Sequence, residues 1–243
     1  MKESESVLIY DNSFNGFMSA VYWAFYKNVE IRDIQSIKNS QRALFSENTV
    51  IETNITFARR VWFGIQKKNY NALKIVYFAF LSESSGIELK LYNYIKYIYS
   101  NKTNSSSYIS KEDILKINSL AGLVGREKKR IEAQLRFKNT FADVQVAYIE
   151  PGFNVLPLVS RHFKSVYKQF HWIVFDSKRN YGIYFNGQGV RFVSAGFVRN
   201  LKAQKELLEA HPPTLIGMGL LTEAENKTTN NKNLDYEKSY TAA

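Results

Sequence analysis

No cysteine occurs among the 243 residues. That excludes disulfides, thiolate nucleophiles and Cys-ligated zinc or iron–sulfur centres, and it makes a reducing compartment the simple expectation. Histidine is nearly as scarce. Around the three present, His162, His171 and His211, no carboxylate spacing supports a metal site or a catalytic triad, so no metal, cofactor or nucleophile is expected. Long apolar runs are missing too, the most apolar being Ile75–Leu81 (IVYFAFL), far short of the roughly 20 residues of a membrane-spanning helix. The N-terminal MKESESVLIYD carries acids where an export signal needs a basic start and an extended apolar core, and the expected location is the cytoplasm. Acidic charge is also in deficit. Twenty-two Asp and Glu face 33 Lys and Arg, a net charge of +11 with a pI near 9.6, which favours anionic partners.

What is present is a core-forming composition, 45% hydrophobic and 15% aromatic, enough for one large domain or two small ones. The excess positive charge is densest in Leu123–Phe137 (LVGREKKRIEAQLRF), and from Val124 to Lys138 six basic residues oppose two acidic ones. On a helical period Leu120, Val124, Ile131 and Leu135 fall on one face and Arg126, Lys129 and Arg130 roughly opposite. One face is for packing, the other for water or a polyanion.

Along the chain, SVLIY (6–10) reads as a short buried strand. A turn, DNSFNG, follows, and then a helix whose apolar positions are Phe17, Met18, Val21, Tyr22 and Phe25. Asp11, Asn12 and Ser13 are placed to cap it. The same turn is placed to hold a phosphate, but it lacks the lysine and spacing of a P-loop, which favours capping. Thr49–Glu52 is a short strand candidate. Three mutually packed helices are expected next, marked by Phe57, Val61 and Ile65, by Leu73, Val76, Tyr77 and Phe80, and by Ile87, Leu91, Tyr94, Ile95 and Ile98. The pairs Arg59–Arg60 and Lys67–Lys68 read as solvated faces. After the polar break Asn101–Ser107 (NKTNSSS), Ser110 and Asp113 form a capping-box pattern, and Gly122 and Gly125 are expected to bend or interrupt the path into the basic helix.

From Asp143 the period drops towards two: Val144, Val146 and Tyr148 alternate with Gln145, Ala147 and Ile149, as in a half-buried strand. Pro151–Gly152 turns the chain, and 158–167 is helical. HWIVF (171–175), YGIYF (181–185) and VRFV (190–193) are strands, with Asn186–Gly187 a hairpin signal. The expected class is α+β: a helical N-terminal half (about 12–122), then an antiparallel sheet with packed helices (about 123–195). Residues 197–208 suit a further helix, and beyond Thr222 the apolar content falls to that of a disordered tail.

The ordered motifs YDNSFNGF (10–17), ARRVWFGIQKKN (58–69), AFLSESSGIELKLYNYI (79–95), VGREKKR (124–130), IEPGFNVLPLVSRHF (149–163) and WIVFDSKRNYGIYF (172–185) closely resemble the bacterial family DUF4130. The likeness runs to about residue 193, and residues 196–243 lack the basic segment with Met-Pro and Arg-Tyr-Trp-like endings usual in the family. The resemblance implies a DNA context, because members are described as DNA metabolism or repair proteins. They accompany a DNA-repair-type radical SAM protein, and similar domains occur fused to a uracil-DNA glycosylase-type domain. It implies no catalytic residue.

Candidate nucleic-acid contacts are therefore Arg126, Lys129 and Arg130 on the basic helix, Arg136 at its end, and Lys178 and Arg179 in the hairpin turn beside Trp172, Phe175, Tyr181, Tyr184 and Phe185. Cations next to aromatic faces suit unstacked bases, although strand aromatics are most often core. Glu127 and Glu132 read as local ion-pair partners, and His162 as a structural histidine. Three functions stay open: a DNA-binding accessory protein delivering substrate to a separate catalytic partner, an enzyme acting directly on DNA as a nuclease or base-excising activity, or a protein-interaction module.

Overall fold

The computed structural model describes residues 6–38, 47–100, 108–141 and 143–210. His211, the polar break 101–107 and the tail beyond Thr222 lie outside them. The described residues form seven helices and two sheets in an α+β fold. They fall into two compact units, one running to Arg130 and including Gly152–Val155, the other Ile131–Pro151 with the residues from Leu156 onward.

In the first unit the SVLIY run forms β1 (Ser6–Tyr10), buried along most of its length, as a central strand requires. The helix α1 (Phe14–Lys27) starts at Ser13, whose hydroxyl accepts the Gly16 N–H at 2.9 Å. Asp11 steadies this cap by accepting from the Ser13 N–H at 2.9 Å and hydroxyl at 2.6 Å, and from Thr53 Oγ1 at 2.8 Å. The chain returns in β2 (Ile31–Ser36), parallel to β1, and β3 (Glu47–Val50) pairs parallel on its other side, giving the order β2-β1-β3. The N-terminal half is therefore not simply helical. A helix between strands carries the chain back to the same end, which is how parallel pairing arises.

Three helices follow, α2 (Ile55–Lys68), α3 (Tyr70–Phe80) and α4 (Ile87–Tyr99), the first two capped by the Asn54 and Asn69 side chains. α2 packs on α1 and α3, and α4 on α3 and α2. Phe14, Phe17, Tyr77 and Phe80 form an aromatic knot, with Phe14 4.8 Å from Tyr77 and 5.1 Å from Phe80 between ring centroids. In α2 the inward residues are Ala58, Val61 and Ile65, so Phe57, expected in the stripe, faces outward instead. The helix α5 (Lys111–Gln134) begins at the Ser110 cap, whose hydroxyl accepts the Asp113 N–H at 3.0 Å. It passes through Gly122 and Gly125 without a break; twenty-four residues of helix outweigh about 1 kcal/mol lost at each glycine.

In the second unit the strands β4 (Asn139–Phe141), β5 (Val144–Ile149), β6 (Trp172–Asp176), β7 (Tyr181–Phe185) and β8 (Val190–Ser194) lie in that order. The sheet is mixed rather than antiparallel, because β5 and β6 run parallel while the other neighbours are antiparallel. The cause is again a helical connection, α6 (Leu156–Val166), between two strands of one sheet. One face of the sheet buries Val144, Val146, Ile173, Phe175 and Val193 with Val198 of α7 (Ala195–Ala210). Trp172, on alternate positions, meets Phe163 of α6 at 6.1 Å and Phe185 at 5.5 Å.

Candidate nucleic-acid interface

Two turns of α5 carry the basic face in the first unit. Val124, two residues before Arg126, is buried, and Arg126, Lys129 and Arg130 are exposed, as a 3.6-residue period arranges them. Their surroundings differ. Arg130 Nη2 lies 2.8 Å from Glu127 Oε1, an oxygen that also accepts the Gly152 N–H at 2.8 Å. Glu127 is thereby fixed in place, and the charge of Arg130 is partly met within the protein. Arg126 and Lys129 have no hydrogen-bond or ion-pair partner among the described residues. These two can turn their whole charge outward.

Arg136, Lys178 and Arg179 belong to the second unit. Arg136 Nη1 donates to the Ala133 and Leu135 carbonyls at 3.0 and 2.8 Å, satisfying acceptors that the end of a helix leaves open. Arg179 is the most firmly engaged. Its Nη1 is 3.0 Å from Asp176 Oδ2 and 3.1 Å from the Pro151 carbonyl oxygen, and the Asp176 side chain is 0% exposed against 11% for Arg179. Asp176 Oδ1 accepts the Lys178 and Arg179 N–H groups at 3.0 Å each, so this aspartate builds the turn between β6 and β7. Lys178 stands at the turn with an exposed side chain. Of the neighbouring aromatics, Trp172, Phe175 and Phe185 are core, while Tyr181 and Tyr184 are half-buried. The Tyr184 ring is covered by Arg191 at 5.2 Å. His162 is half-buried with its ring 5.4 Å from Phe163, and His171 is exposed.

A second feature of the first unit escaped the sequence pattern. An open cleft of about 450 Å3 is lined by Ser19, Tyr22, Trp23, Tyr26, Lys27, Val50, Ile51, Glu52 and Phe57. Six aromatics in fourteen residues of α1 (Phe14, Phe17, Tyr22, Trp23, Phe25, Tyr26) are more than one buried stripe accommodates, and that surplus was the available signal.

Several ionisable groups in the same unit are shifted from their ordinary values. Tyr10 donates to Glu88 Oε1 at 3.1 Å; burial drives the Glu88 carboxyl above the usual carboxylate range, with nearby Asp33 adding to the rise. Burial also raises Tyr10, well beyond an ordinary phenol. Asp113 is lowered, chiefly by its hydrogen bond from Lys90 Nζ. Among the described residues no group of three His, Asp or Glu is placed to hold a metal ion, and no helix is long and apolar enough to cross a membrane.

A family model described as a domain of unknown function, DUF4130, matches residues 85–240, more than half of the chain. That span holds all of α5 and the whole second sheet. No curated protein matches the chain.

Proposed function

The chain belongs to the DUF4130 family, and from that footing we propose that it is a nucleic-acid-binding accessory protein of DNA metabolism or repair, working with a separate catalytic partner. The observation that carries the reading is the pair Arg126 and Lys129, exposed on α5 and without a partner among the described residues, in a chain of net charge +11. Cations held on a rigid helix meet phosphates without first breaking an internal ion pair, and each contact releases condensed counterions. Arg130 contributes less, since leaving Glu127 costs part of the gain. Lys178 supplies a further cation at the β6–β7 turn. Arg136 and Arg179 support helix end and turn.

DNA binding measured over a range of salt concentrations tests this. Log affinity should fall linearly with log salt, with a slope of about 0.9 for each duplex phosphate contacted. No binding at low salt, or binding indifferent to salt, overturns the reading. The bacterial origin, the repair context and a radical SAM-type partner come from the family likeness. Co-purification with such a partner after nuclease treatment separates direct association from bridging by DNA. Turnover of uracil-containing, damaged or single-stranded DNA by the purified chain, lost on changing His162 or His171, would replace the accessory role with an enzymatic one.

A further inference from the structure

The cleft on the first unit has a construction that the basic helix does not explain. Three of its rings stand nearly parallel: Tyr26 to Tyr22 at 6.3 Å and 7°, and Tyr22 to Phe57 at 4.3 Å and 11°. In the same unit the Phe14 ring makes edge-on contacts, with Trp62 at 87° and with Tyr77 at 60°. The parallel file is also open at its ends, since Tyr26 is 72% and Phe57 37% exposed. Aromatic faces left accessible in register with one another are what an unpaired base stacks on.

Cations stand at the rim. Lys27 Nζ lies 5.8 Å from the Tyr26 ring centre and Arg60 Cζ 5.9 Å from that of Tyr22. Arg60 Nη1 also donates to the Tyr22 hydroxyl at 3.2 Å, and Arg59 beside it is exposed. Glu52, the one carboxylate of the lining, repels phosphate but accepts from an exocyclic amine such as cytosine N4. The aromatic floor, cationic rim and single acceptor match a base with its backbone better than they match an aliphatic chain.

We propose that this cleft binds single-stranded nucleic acid, an unpaired base stacking against the Tyr26–Tyr22–Phe57 rings while Lys27 and Arg60 take the flanking phosphates and Glu52 the base edge. It rests on the nucleic-acid reading of α5 and adds the strand class. Duplex DNA, with its bases stacked on one another, offers no free face to such rings.

The test uses the full chain with three probes: a short oligodeoxycytidylate, an abasic strand of the same length, and a blunt duplex. The oligodeoxycytidylate should bind about tenfold or more tighter than the abasic strand, because removing the base takes away the stacking and the Glu52 contact and leaves the phosphates in place. Tyr26→Ala and Phe57→Ala should each abolish most of that difference while leaving duplex affinity unchanged, and Tyr26→Phe should retain it. Equal binding of abasic and base-bearing strands by the unaltered chain overturns the proposal without any variant having to fold. So does a Tyr26→Ala protein that binds like the parent, or one whose only change is loss of self-association in sedimentation. Duplex binding that survives while the base-bearing and abasic strands remain equivalent defeats this proposal alone. Absence of binding to all three probes at low salt defeats the reading of α5, and this one with it.

Discussion

Asp176 and Arg179 occupy a stretch, DSKRN, that reads in sequence as a charged, solvent-facing turn. Charge alone does not say which way a guanidinium points, and here it turns inward to a carboxylate with no exposed surface. Two backbone N–H groups also bind that carboxylate, so the turn is organised around the aspartate. Replacing Arg179 with Ala leaves a buried charge without its counterion, a loss of about 3 kcal/mol, and denaturant unfolding should show it. Lys178→Ala should change stability by less than about 0.5 kcal/mol, since its backbone N–H is kept. Gly182 is a second residue whose role is invisible in its motif: a Cβ there would sit 2.9 Å from the Val174 carbonyl oxygen on the adjacent strand and 3.1 Å from the Phe175 ring. Gly182→Ala should therefore destabilise by about 1–3 kcal/mol through overpacking, read as a lower denaturation midpoint at unchanged slope.

Among the elements, those with strong local signals were legible in the sequence. The Ser13 and Ser110 caps, the stripes of α3 and α4 and the β7–β8 hairpin all follow from short-range chemistry; at the hairpin Gly187 adopts φ 85° and Asn186 Oδ1 accepts the Gln188 and Gly189 N–H groups. Strand direction was not, because a period of two is the same in parallel and antiparallel pairs; the clue lay in the helices between β1 and β2 and between β5 and β6. The site was legible in part: the exposed face of α5 and the local Glu127–Arg130 pair follow from helical spacing, whereas the turn of Arg136 onto main-chain carbonyls and of Arg179 onto a buried aspartate does not. Ser110→Ala should cost about 1 kcal/mol, with hydrogen exchange quickening first at the start of α5.

Glu88, in the first turn of α4, gives an element-scale pH effect. Its folded pKa lies above the unfolded value of 4.5, so between the two the native state binds more protons, and stability falls as pH rises through that window. Glu88→Gln should flatten this fall, and unfolding free energies of both proteins from pH 4 upward check it; a parallel decline in both would assign the pH effect elsewhere. Asp113 works in the opposite sense: its folded pKa lies below 3.8, so the stability it contributes is present above that value and is lost as pH falls through the folded pKa. Acidification should thus weaken the Lys90–Asp113 link between α4 and α5 while relieving the cost of burying Glu88.

For the whole molecule the question is whether a net charge of +11 acts as a diffuse field or through a site. Both attract a polyanion, but only local contacts depend on which cations are changed. Each replacement of Lys or Arg by Glu lowers the charge by two, so reversing Arg126 and Lys129 together, or Lys67 and Lys68 together, takes the chain from +11 to +7 in either case. All four side chains are exposed, so neither pair should unfold the protein. Lys67 and Lys68 lie in the last turn of α2, where losing positive charge costs a few tenths of a kcal/mol in helix-dipole energy; thermal denaturation of both variants controls for that. If α5 carries a site, reversing Arg126 and Lys129 should flatten the log-affinity against log-salt slope by about 1.4 to 1.8, two contacts' worth. The Lys67–Lys68 variant should retain the parent slope with a small uniform loss of affinity. Equal losses in slope from both variants would mean that the field of the whole chain does the binding, and α5 would then be an ordinary solvated helix.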